Sequence, residues 1–207
     1  MAAGKRQEER GMKRYSMGAL GALSALAAMT ALGLARPAAA DPCDGYTWNV
    51  AHERAVFATH AAAVTAASAG GTVPLLEADR LYDIALAPQS GVSYVMKPQK
   101  KALPDGAYGG LVHLHIPAAG QYRVSMDVPF WIDVIADHRF APTTDFTGMR
   151  GCKAPHKIVQ FPLPAGDDLV LQFSGAASAH VHVTITAAPP GAPSPAHSGG
   201  MAPAKDP

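Results

Sequence analysis

The 207-residue chain lacks the motifs by which most enzyme classes are recognised. It has no G-x-S-x-G nucleophile turn, no glycine-rich nucleotide loop and no H-E-x-x-H zinc helix, so a hydrolase, a nucleotide enzyme or a zincin cannot be assembled from it. Cysteine is scarce, with two residues too far apart for a C-x-x-C redox pair. Charge is also scarce, at 16% of residues. Of the 17 Lys and Arg, six lie in the first 40 residues, as do two of the 16 Asp and Glu. The rest of the chain therefore carries 11 basic and 14 acidic residues, a net of −3. A face able to neutralise phosphates is absent from that balance, which argues against a nucleic-acid partner.

What is present begins with an export signal. Lys13 and Arg14 form a positive n-region, Met17 to Leu34 carry no charge, and Ala38-Ala39-Ala40 before Asp41 give a small-residue cleavage pattern. Residues 1–40 are expected to be a signal peptide, with Met12 as an alternative start to Met1. An uncharged run of about 18 residues is long enough to reach across a bilayer. Its Ala/Gly-rich composition and the A-x-A site that follows favour cleavage, leaving no membrane span. Cys43 lies past the cleavage point, so a lipoprotein anchor is not indicated. The expected location is periplasmic or secreted. In such an oxidising compartment Cys43 and Cys152 are expected to pair. Closing a loop of about a hundred residues would stabilise the fold by about 4–5 kcal/mol on the chain-entropy model.

Residues 41–188 read as one globular domain, and 189–207 (PPGAPSPAHSGGMAPAKDP) as a disordered Pro/Ala-rich tail. Within the alanine-rich segment Trp48 to Ser68, Val50, Phe57, Ala61 and Val64 recur near helical spacing. Asn49 is placed to cap that helix, and Gly70-Gly71 to end it. From Leu81 the apolar period changes to two. Strands are expected at 81–86, 92–96, 111–116, 122–127, 131–136, 157–163, 169–174 and 180–186. Turn signals separate them, among them Pro104-Asp105-Gly106, Asp137-His138 and Pro164-Ala165-Gly166-Asp167. The expectation is a mainly β fold, an antiparallel β-sandwich or jelly roll of about eight strands with one N-terminal helix.

Alternation then sorts side chains by face. Val112, Leu114 and Ile116 oppose His113 and His115. Tyr122, Val124 and Met126 oppose Arg123, Ser125 and Asp127. Val181, Val183 and Ile185 oppose His180, His182 and Thr184. The two H-x-H pairs are thus expected on outer faces. If their strands were neighbours, His113, His115, His180 and His182 would form a four-imidazole set suited to copper or zinc, with His197 and Met201 of the tail as further ligands. The alternative is that these are ordinary solvated histidines. Two further places suit a small ligand. One is the connection Asp145 to Lys157, which holds Asp145 and His156 beside Cys152 on a platform the disulfide would stiffen; its alternative is a turn in which His156 bonds locally. The other is Trp131 with Asp133, on one side of a strand, where a carboxylate beside an exposed aromatic suits a sugar or a cation, or else Asp133 pairs with Arg123 across the sheet.

The stretches Cys43–Trp48, Gly120–Val124, Trp131–Val134 and Gly151–Val159 resemble a family of small exported proteobacterial β-rich proteins of unknown function. Some of its members are labelled homogentisate 1,2-dioxygenase. The enzymes of that name are longer cytoplasmic cupins that bind iron through two His and a Glu. Here Glu53 and Glu77 both precede the main strands, so that triad does not carry over. The G-x-Y-R-V and W-I-D-V patterns are also similar, more weakly, to pre-peptidase C-terminal β-sandwich modules. Together these features point to an exported binding or accessory module, its partner a small ligand, a metal ion or an envelope protein. The alternatives are a metal-dependent enzyme and a purely structural envelope module.

Overall fold

A computed structural model describes residues 41–190. The expected signal peptide and the tail from 191 onward, with His197 and Met201, lie outside the described residues. Among those described, no helix is long and apolar enough to cross a membrane.

The fold is mainly β, with one short helix, α1 (Ala51–Phe57), and twelve strands among the described residues. In chain order these are β1 (Ala62–Thr65), β2 (Leu75–Glu77), β3 (Tyr82–Ala85), β4 (Ala87–Pro88), β5 (Tyr108–Ile116) and β6 (Gly120–Met126). There follow β7 (Trp131–Ala136), β8 (Arg139–Phe140), β9 (Asp145–Gly148), β10 (Lys157–Leu163), β11 (Gly166–Ala176) and β12 (His180–Ala187). They form two six-stranded sheets. One runs β1-β3-β12-β6-β10-β9; the other runs β2-β5-β11-β7-β8, with β4 also on β5. Both are mixed, because β1 lies parallel to β3 and β2 parallel to β5, so the expected wholly antiparallel arrangement is corrected.

Period-two alternation builds one core from both sheets. Val112, Leu114, Ile132, Val134, Leu171 and Phe173 come from one sheet. Val124, Met126, Phe161, Val181, Val183 and Ile185 come from the other. Each such side chain contributes roughly 1.5–3 kcal/mol on burial, which makes this row the main driving force of the fold. Phe130 meets Phe173 edge to face at 5.8 Å between ring centroids. At the β7–β8 hairpin Asp137 and His138 both take positive φ, as the twist of a two-residue turn demands.

Three expectations of local structure need correction. The N-terminal helix ends at Phe57, and Ala62–Thr65 becomes a strand. Alanine favours helix, but tertiary pairing overrides that weak preference here: Val64 lies in register with Ile84, a fully buried residue. Asn49 accepts from Ala51 N at 3.1 Å, but Val50 holds the N-cap position. Residues 92–96 are not a strand; they belong to a strap laid over the β5–β11–β7 sheet. Tyr94 donates its hydroxyl to Phe173 O at 3.0 Å. Gln172 holds both the N–H and the C=O of Met96. Gly109 is required beneath this strap, since a Cβ there would stand 2.2 Å from the Tyr94 hydroxyl. Burial pushes that hydroxyl's pKa up to about 12, so it stays protonated and donating.

The second face of the β12–β6–β10 region was expected to be solvated, and it is not. Arg123, Ser125, Gln160, Thr184 and Thr186 are all buried there. The segment Trp48 to Glu53, which leads into α1, covers Arg123. That residue donates to Glu53 Oε1 at 2.8 Å and to Asn49 O at 2.9 Å, with its guanidinium 4.6 Å from the Trp48 ring centroid. The Cys43–Cys152 disulfide forms, with Cα atoms 4.9 Å apart, and fastens this N-terminal segment to the loop between β9 and β10.

Candidate functional site

The histidine pairs do not meet. His113 and His115 stand on β5 and His180 and His182 on β12, in different sheets, so the condition for a four-imidazole set fails. Among the described residues no group of three or more His, Cys, Asp or Glu is arranged to hold a metal ion. Most of these imidazoles are engaged by carboxylates instead. His182 Nδ1 lies 2.9 Å from Asp127, and His180 Nδ1 lies 3.1 Å from Asp83. His115 is hydrogen-bonded to Asp167, with Glu77 at 3.9 Å. The Asp167 hydrogen bond, opposed by partial burial and helped by the Glu77 charge, raises the His115 pKa.

The expected Arg123–Asp133 pair is also absent, since the two residues stand on β6 and β7, in different sheets. Arg123 belongs to the clamp beneath the N-terminal segment. Asp133 is 3% exposed and lies under the strap, where it accepts from Trp131 Nε1 at 2.9 Å and from Gln99 N at 3.2 Å. Burial raises its pKa against the lowering effect of those donors. Its oxygens are thus taken up within the domain, where it fixes the Trp131 indole. Asp145 accepts from Phe146 N. His156 bonds Cys152 O through Nδ1, and its carbonyl accepts from Tyr46 and Met149. Both residues serve their own loop.

What the structure does bring together is Trp131 and the far end of the 145–157 connection. A cleft of about 280 Å³ opens between the margins of the two sheets. Trp131 and Ile132 of β7 form one wall; Thr143, Phe146 of β9, and Lys157 and Val159 of β10 form the other. That volume is at the small end of ligand pockets, about 300–1,000 Å³, and the lining is mostly apolar with few polar groups, as such pockets are. Phe146 is 67% exposed, a large apolar ring left in water at the rim.

Lys157 is the charged group of the site. It shares the side of β10 that carries Val159, Phe161 and Leu163 into the core. Its ammonium lies 5.9 Å from the Trp131 ring centroid, near the limit of a cation–π contact. Burial, with Lys100 as a lesser repulsion, lowers its pKa. Expectation from sequence singled out Trp131, and included Phe146 and Lys157 only as members of the 145–157 connection, with no role of their own. The available signal was parity: a lysine two residues before Val159, in the row that becomes core, points inward.

Compared with family models, curated proteins and solved structures, the chain matches none.

Proposed function

We propose that the domain is a non-enzymatic binding module that holds a small, largely apolar ligand in the cleft between Trp131 and Phe146. The observation that carries this reading is the pairing of two aromatic rings across the margins of both sheets. One of them, Trp131, is oriented by the buried Asp133, and the other, Phe146, is left in water. Anchoring one wall while exposing the other is how a site is prepared before its ligand arrives, which lowers the ordering cost of binding. Two mixed sheets around a shared core are consistent with a sandwich, whose open margin offers such a cleft without disturbing the interior. The disulfide fits the export reading, in which the module works in an oxidising compartment.

Titration with the neutral fluorophore N-phenyl-1-naphthylamine tests the site. Saturable binding of one probe per chain is expected, weakened about tenfold or more by Trp131→Ala and by Phe146→Ala, in line with the loss of one buried aromatic contact. Absence of saturable binding, or affinity unchanged in both variants, would overturn the proposal.

A further inference from the structure

The cleft has apolar walls and one cation without a counter-ion. Arg123 is answered by Glu53, and Arg54 by Asp41 and Asp44. Lys157 makes no ion pair among the described residues, and its neighbours in the cleft are Trp131, Ile132, Thr143, Phe146 and Val159. A second cation, Lys100, is near enough to act on it. Asp127, next to the strand partner of Lys157, is engaged by His182, and Asp133, which holds the Trp131 indole, is occupied by Trp131 Nε1 and Gln99 N beneath the strap. Holding a half-buried ammonium against apolar side chains without an anion costs free energy, and its positive potential is screened less than at the open surface.

We propose that the ligand of this cleft is an amphiphilic anion whose head group pairs with Lys157 and whose apolar body lies along Trp131, Ile132, Phe146 and Val159. The inference rests on the cleft being the binding site and adds the chemical class of what enters it. Lys157 supplies the charge in the cleft, and the exposed Phe146 rim supplies apolar contact. A carboxylate, a sulfonate and an alkyl sulfate share this chemistry. The size of the cleft restricts the body to a medium-length chain or a small ring system.

Displacement of bound N-phenyl-1-naphthylamine by decanoate, decyl sulfate, decanol and decylamine reads the preference directly. Decanoate and decyl sulfate are expected to compete about tenfold or more better than decanol, and decylamine worst. Which of the two anions is preferred identifies the head group. In Lys157→Met the preference for anions over decanol should vanish while the neutral probe still binds, which also shows that the variant is folded. Lys153→Met, at a lysine outside the cleft, should leave the preference intact. Decanol or decylamine competing as well as decanoate overturns the anion assignment alone, as does a preference that survives Lys157→Met. Failure of the neutral probe to bind the unaltered protein overturns the cleft itself and this inference with it.

Discussion

Two cations lie beside tryptophans in this protein, and their surroundings differ. Arg123 is 2% exposed, with Glu53, Asn49 and Trp48 around its guanidinium. Lys157 has the Trp131 ring at the limit of a cation–π contact and, among the described residues, no carboxylate in an ion pair. A buried charge that is answered from several sides fixes the position of the elements that answer it. Here the Arg123 cluster ties α1 and the segment before it to β6 and β12. A half-buried charge left unanswered carries a smaller standing cost in the free protein, and stability given up in this way is common where a site awaits a partner. The side chains match these roles. The guanidinium fork satisfies several acceptors in fixed directions, whereas an ammonium on a flexible stem suits a partner that comes and goes.

The comparison can be broken most forcefully at Glu53. Glu53→Ala leaves Arg123 buried without its counter-ion and should cost about 3–5 kcal/mol in urea or thermal unfolding. A loss under about 1 kcal/mol would show that Asn49 and Trp48 suffice and that the ion pair is incidental. At Lys157 the sign should reverse: Lys157→Met removes an unanswered charge and is expected to stabilise the protein by about 1 kcal/mol. Its pH dependence sharpens the point. Because the folded protein holds this pKa below its unfolded value, the unfolded chain binds more protons in the alkaline window between the two. Stability should therefore rise with pH through that window, and the rise should flatten in Lys157→Met. The smallest effect belongs to His115, whose pKa is raised. Its contribution is fully present below the ordinary imidazole range and is lost as pH rises through the folded value. The melting temperature of the unaltered protein relative to His115→Gln should accordingly be higher at about pH 5.5 than at about pH 8. Parallel curves would show that Asp167 and Glu77 do nothing for it.

The strands with alternating side chains are legible in the sequence. Trp131–Ala136 and Lys157–Leu163 fall where the period of two places them, and Val112, Leu114 and Ile116 point inward as their parity requires. Elements without that signal are not. Ala62–Thr65 is a strand because β3 pairs with it, and nothing in four residues of Ala-Ala-Val-Thr distinguishes this from helix. The converse error is at 92–96, which alternates well but pairs with the side chain of Gln172 and the carbonyl of Phe173 rather than with a strand. Alternation says which residues share a face, not what covers it. Arg123 therefore reads as solvated, and only the segment folded over it shows otherwise. The cleft was half legible for the same reason. Trp131 and Asp133 share a face, but the opposing wall comes from the other sheet, and no local pattern reports which sheet a strand joins.

The position of the disulfide has a consequence for the order of events in the life of the chain. Cys152 is 1% exposed and Cys43 8% exposed, so in the finished protein neither sulfur is open to a dissolved thiol. Burial of this kind favours oxidation while the N-terminal segment is still undocked. Once closed, the bond can be reached again only by peeling that segment away. It behaves as a latch set during maturation rather than a joint that responds to later changes in its surroundings. A chain that folded completely before meeting an oxidant would keep two sealed thiols. Alkylation of the native and the urea-unfolded protein would tell these two histories apart.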